Sequence, residues 1–167
     1  MTKKIIPTII GKNNEYLNKY PLLGNGGFSV VYDITDLDNI VLKHSFIPND
    51  GFRYLSDLSL TKRAKMGLIP IIERKICGDD IYYLLPKLKK IHFSENEIQC
   101  LKQINAKQSI DSSTHISEKI HYILTKVNNL ISILKDEQYE LDISEDNIME
   151  DIDGNIYLTD PIAEFFN

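Results

Sequence analysis

Cysteine is nearly missing from this chain: Cys77 and Cys100 are the only two in 167 residues, in no CxxC pair and at no spacing that suits zinc. A disulfide scaffold is excluded, and both thiols are expected to be reduced, buried, small apolar side chains. Long apolar runs are missing as well. The stretch IIPTII after Lys3 and Lys4 is too short for a secretory core, and no window approaches a membrane span, so a cytoplasmic protein without a membrane partner is expected. Positive charge is in deficit, with 19 Lys plus Arg against 24 Asp plus Glu and a net charge of −5. A protein that grips phosphate backbones needs a basic face to release counterions, so nucleic acid is not expected as a partner. What is present is 43% hydrophobic and 26% charged residues, enough for one core and against collagen or a disordered tail.

The β-branched runs and turn residues fall in the first half of the chain, and helical spacing follows, an order that reads as α+β. Strands are expected at Tyr20–Leu23, Phe28–Thr35, Asn39–Lys43, Ile69–Ile76 and Ile81–Leu85, parted by turns at Gly24–Gly27, Asp36–Asp38 and Gly78–Asp80. Tyr54–Met66 reads as a short helix. Ser94 followed by Glu97 is a capping-box pattern opening a helix to about Ile104, so Ser94 is a cap and not a nucleophile. Ile116, Ile120, Ile123, Leu124, Val127, Leu130, Ile131 and Leu134 recur at steps of three and four, one apolar stripe along a longer helix. Beyond it, Leu141–Ile143, Asn147–Met149 and Ile156–Leu158 read as a loop and a small hairpin turned at Asp153-Gly154.

Three segments carry chemistry. In Leu23-Gly24-Asn25-Gly26-Gly27-Phe28-Ser29-Val30-Val31-Tyr32, glycines would let backbone N–H groups approach phosphate oxygens, or would simply make a turn. Lys43 closes the apolar run Ile40-Val41-Leu42, either as an edge charge facing water or as an ammonium turned inward toward phosphates. Asp142 precedes Asn147 by five residues, and Asn147 precedes Asp160 by thirteen. Phosphoryl transfer needs a carboxylate near the acceptor hydroxyl and oxygen ligands for Mg²⁺, and this spacing supplies both.

Taken together, the glycine loop Gly24–Ser29 with Val31 and Tyr32, the Ile40–Lys43 strand, Asp142-x-x-x-x-Asn147-Ile148-Met149 and Thr159-Asp160-Pro161 resemble the eukaryotic-type protein kinases. The wording of the two end motifs is similar to the early-gene serine/threonine kinases of short-tailed bacteriophages. The resemblance spans about Leu22 to Asp160. It implies a bilobal kinase-like fold, with a sheet-rich lobe over residues 1–87 and a truncated helical lobe over 88–167. It also implies ATP and Mg²⁺ as cofactors and host proteins, or the chain itself, as substrates, in a host cytoplasm if the source is a phage or an effector. Gly24, Asn25, Gly26, Gly27, Phe28, Ser29, Val31 and Lys43 would bind the nucleotide. Lys43 and Asp142 would be catalytic, and Asn147 and Asp160 would ligate metal. Leu23, Val31, Leu84 and Ile148 or Met149 would line the base site.

The departures from that family are specific. Ser29 stands at the third glycine, and Glu140-Leu141 replaces the His-Arg before Asp142. Ser144 stands where most serine/threonine kinases carry a lysine, so a cation on the transferring group is missing, while Glu145 and Asp146 add negative charge. No Glu occurs between His44 and Leu68, leaving Asp50 and Asp57 as the only acids there that could pair with Lys43. Pro161-Ile162 follows Asp160, and seven residues of this sequence remain after it, so no peptide-binding platform is expected, a resemblance to the compact effector kinases of some bacterial pathogens. These departures keep a second expectation open, a kinase-fold binding module that sequesters a host protein. A small-molecule phosphotransferase is a third, for which the helical half is short. The clusters Lys62-Arg63-Lys65 and Lys87-Lys89-Lys90 read as solvated faces, and His44, His92, His115 and His121 as surface or rim residues.

Overall fold

The fold is known from a computed structural model that describes residues 5–11, 17–46, 51–107 and 116–165. Asp50 and His115 therefore lie outside the described residues.

Alternation of side chains along a strand builds the first half. Strands β1 (Leu22–Asn25), β2 (Ser29–Asp33), β3 (Ile40–Ser45), β4 (Glu73–Cys77) and β5 (Asp80–Pro86) form one antiparallel sheet in the order β1-β2-β3-β5-β4. The central strands β3 and β5 place apolar side chains on both faces. Leu42, Tyr82 and Leu84 turn to one side, where Ile6, Ile9 and Ile10 of helix α1 (Ile6–Ile10) cover them together with Ile34, Leu17 and Tyr20. Val41, Ile81, Tyr83 and Leu85 turn to the other, against Phe52 and Ile69. The N-terminal apolar stretch is thus a core helix. Its first N–H groups, from Ile5 and Ile6, are met by the Glu73 carboxylate of β4 at 2.7 and 3.2 Å, an acid where the helix dipole favours one.

Three expectations shift. Tyr20 is a buried residue at the end of a 3-10 turn, and the first strand begins two residues later. Residues 69–72 precede the strand expected to contain them. The single helix expected at Tyr54–Met66 is two helices, α2 (Gly51–Asp57) and α3 (Leu60–Lys65), parted where the Ser59 hydroxyl accepts the Lys62 N–H and restarts the chain.

The second half is organised by helix α4 (Glu95–Asn105) and helix α5 (Glu118–Ile133). The Ser94–Glu97 capping box is formed, and Ser117 caps α5 in the same way. The apolar stripe packs Ile120, Ile123, Val127 and Leu130 against Leu101, Ile104, Leu141 and Ile148 in the largest core cluster. Cys100 is buried there, whereas Cys77 is only half-buried on β4, contrary to expectation; both are free. Beyond α5, β7 (Tyr139–Leu141) pairs with β10 (Ile162–Phe165). The hairpin of β8 (Ile148–Glu150) and β9 (Ile156–Leu158) is joined along β8 by β6 (Lys89–Lys90). The Asp151 carboxylate accepts the N–H groups of Asp153 and Asn155, and Gly154 takes the left-handed conformation at φ 83° that closes the turn. The architecture is α+β. Among the described residues no helix is long and apolar enough to cross a membrane.

Candidate functional site

Strand pairing brings distant residues together. Because β8 and β9 are antiparallel, with Ile148 opposite Leu158, the residue before one and those after the other lie side by side. The Thr159 N–H donates to the Asn147 carbonyl at 2.9 Å, which places Asp160 next to Asn147 despite thirteen intervening steps. The pairing of β7 with β10 acts likewise on Asp142, whose N–H donates to the Pro161 carbonyl at 2.9 Å. The Asn147 amide nitrogen donates to the Asp142 carbonyl at 3.1 Å, which orients the amide and leaves its Oδ1 as an acceptor.

Lys43 arrives from the sheet. It faces Val31 on β2 and Tyr83 on β5, its side chain is 8% exposed, and its Nζ lies 3.0 Å from Asp160 Oδ2. That ion pair joins residues 117 apart in the chain. Among the described residues a second partner of the ammonium is the Phe52 ring of α2, with its centroid 3.9 Å from Nζ.

These groups share one cleft of about 600 Å³. Gly24, Asn25, Gly26, Ser29 and Val31 form its upper wall, and Asn147, Met149, Thr159 and Asp160 its lower wall. Leu85, Pro86, Lys87 and Leu88 close one end. Of the residues expected to bind a nucleotide, Gly27 and Phe28 stand apart from the wall, and the Phe28 side chain faces water. The Gly26 N–H donates to the Ser29 carbonyl at 2.9 Å, closing the hairpin, so this donor is spent within the chain. Gly24 has open space beside it: a Cβ built there, as at Gly27, would meet no atom of the protein within 4 Å. Asp142 is half-buried and not part of the cleft wall.

On the sheet side, strand alternation corrects the expected lining. Leu23, Val31 and Met149 line the cleft, but Leu84 faces the α1 side of the sheet and Ile148 the helical core. Leu85 takes the place expected for Leu84, as its position one residue along β5 requires.

The charge pattern also departs from expectation. Lys87 and Lys90 belong to the cleft wall. Lys87 pairs with Asp33 and Lys90 with Asp146, each at 2.6 Å, and Lys89 pairs with Glu150 at 3.1 Å. The Asp146 carboxylate raises the Lys90 ammonium above its ordinary pKa, so the negative charge expected near Ser144 is met by a lysine. Arg63 is no solvated residue: it is 5% exposed and donates to the Ile69 carbonyl at 2.5 Å. Asp57 is not the acid partner of Lys43, because it is exposed and paired with Arg74. His44 is half-buried, stacked on Tyr82 with centroids 4.5 Å apart, while His92 and His121 are exposed.

Among the described residues no three His, Cys, Asp or Glu side chains gather as a self-sufficient metal site. The Asn147 amide oxygen and the Asp160 carboxylate are hard oxygen donors on the same wall, a set that suits Mg²⁺ only when phosphate and water complete the shell. Sequence reasoning missed Phe52, Leu85, Lys87 and Lys90. The alternation of β5 could have found Leu85; nothing local marks Phe52. No family model matches the chain, and no curated protein matches it.

Proposed function

We propose that this protein is a minimal kinase-like phosphotransferase. In this reading a bilobal fold, residues 1–87 over residues 88–167, binds ATP and Mg²⁺ and transfers the γ-phosphate to serine or threonine of a host protein or of the chain itself. The observation that carries the reading is the convergence of Lys43, Asn147 and Asp160 on one cleft under a glycine hairpin. The strand order supports it too, because the hairpin lies at the sheet edge and the lysine on the next strand inward.

Lys43 would hold the α- and β-phosphates as a point charge. The open space beside Gly24 would admit phosphate oxygens without steric cost. Leu23, Val31, Leu85 and Met149 give the base an apolar slot. Asn147 and Asp160 would hold Mg²⁺, which when bound neutralises phosphate charge. Asp142 would take the proton of the acceptor hydroxyl.

A second reading is favoured by two observations: Asp142 stands off the cleft wall, and Ser144 supplies no cation. In it the chain binds nucleotide but acts by sequestering a host protein. Labelled ATP, with the protein alone and with host lysate, separates the two. Transfer of label that Asp142→Asn abolishes, with ATP·Mg²⁺ still raising the melting temperature of that variant, supports the enzyme. Binding without transfer leaves the binding module, and no thermal response at saturating nucleotide and metal removes the nucleotide site and with it the enzyme.

A further inference from the structure

Lys43 is buried at the inner end of the cleft, yet α2 offers it no carboxylate. Asp57, the acid of that helix, is turned to Arg74, and no Glu occurs from His44 to Leu68. What α2 offers is Phe52. The ring is 4% exposed and set edge-on against Tyr83, centroids 4.9 Å apart at 76°, and Tyr83 is the cross-strand neighbour of Lys43 on β5. Val41, Ile69, Ile81 and Leu85 complete its surroundings. A ring held on so many sides has a fixed face, and that face carries the Lys43 ammonium at 3.9 Å.

We propose that Phe52 is the positioning residue for Lys43, holding its ammonium toward the phosphate end of the cleft by the face of its ring. This rests on the nucleotide reading above. An aromatic face attracts a cation through its quadrupole and carries no net charge. A carboxylate in its place would fix the lysine equally well but cancel its charge at short range. With Phe52 in that place the ammonium is offset by the Asp160 carboxylate alone and not by a second acid, so more of its positive charge is left for a polyphosphate. Asp160 is the single acid drawn to that ammonium at hydrogen-bond distance among the described residues.

The test compares wild type with Phe52→Leu and Phe52→Tyr, with Phe52→Met as the ringless variant if the leucine chain folds poorly. Binding of ATP·Mg²⁺ and of adenosine is measured by calorimetry. Loss of the ring should weaken ATP·Mg²⁺ about tenfold and leave adenosine unchanged, and Phe52→Tyr should restore ATP binding to within about twofold of wild type. In a Lys43→Met background, Phe52→Leu should have no further effect, since the two residues act as one unit. Equal weakening of adenosine, or the same loss with and without Lys43, would make Phe52 merely structural and overturn the proposal. A readout independent of nucleotide accompanies these: the Lys43 ε-methylene protons should show an upfield ring-current shift that Phe52→Leu removes. Wild type that binds no nucleotide but shows the shift defeats the reading of the cleft and upholds the Phe52–Lys43 contact; absence of the shift defeats the contact itself.

Discussion

Gly51 and Ile162 meet so closely that a Cβ on Gly51 would be driven into the Ile162 carbonyl oxygen. Each is one or two residues from a group that touches Lys43, Phe52 on one side and Asp160 on the other. Helix α2 and strand β10 therefore dock at the point where both partners of the lysine are launched. Backbone crowding of this kind cannot be relieved by a rotamer change, so Gly51→Ala should cost about 1–3 kcal/mol, as overpacking of a tight contact does. Urea denaturation measures that cost. Because the docking sets the cleft, ATP·Mg²⁺ affinity should fall alongside stability; an alanine variant as stable as wild type would show that α2 and β10 are not locked there.

The Lys43–Asp160 pair is buried at one end and open at the other, with side-chain exposures of 8% and 35%. Removing the carboxylate strands an ammonium in an apolar setting, whereas removing the lysine leaves an acid that can still reach water. Asp160→Asn should accordingly destabilise by about 1–3 kcal/mol, and Lys43→Met by less, since the apolar stem is kept. Both should reduce the thermal shift that ATP·Mg²⁺ gives wild type through mass action. Chemical denaturation with and without ligand gives both numbers. A shift undiminished in both variants would take these two residues out of the site.

What could be read from the chain was local or set by short hairpins. The capping box at Ser94 and the stripe of α5 need only neighbours three and four residues away, and both are in place. The nearness of Asn147 and Asp160 follows from a hairpin whose two arms flank one turn. The break at Ser59, the burial of Arg63 and the choice of Leu85 over Leu84 depend on which face of the sheet each element covers, and that is decided by packing between segments far apart in the chain. Phe52 was illegible for the same reason: an aromatic residue on a short helix reads as core until the lysine beneath it is seen.

Glu97 ties two helices together and makes stability depend on pH. Its carboxylate accepts the Ser94 N–H at 2.9 Å and the Ser117 hydroxyl at 2.7 Å, with Lys119 at 3.4 Å, so it completes its own capping box and grips the cap of α5. The Ser94 N–H foremost, outweighing burial, and then the Ser117 and Ser94 hydroxyls and Lys119 hold its pKa down from 4.5 to about 2. A depressed folded-state pKa means the contribution is present above about 4.5 and is lost as pH falls toward about 2. The loss across that window should be at most about 3 kcal/mol. Urea midpoints between those limits should fall less steeply for Glu97→Gln than for wild type; parallel curves would place the acid sensitivity elsewhere.

Arg63 connects fold stability to the cleft from below. Its guanidinium is buried, and burial holds its pKa below the ordinary value, yet an arginine remains charged at neutral pH. Its donation to the Ile69 carbonyl fixes a residue whose side chain lines the cleft and whose N–H reaches the Leu158 carbonyl, two residues before Asp160. Arg63→Met fills similar space but leaves that carbonyl without its donor, which should cost about 1–3 kcal/mol. The neighbouring Lys62→Met, on an exposed side chain, should change stability by no more than about 0.5 kcal/mol. Since Ile69 is a wall of the cleft, Arg63→Met should also weaken ATP·Mg²⁺ binding while Lys62→Met leaves it unchanged. Equal effects of the two substitutions would return Arg63 to the solvated basic face that its sequence neighbours suggest.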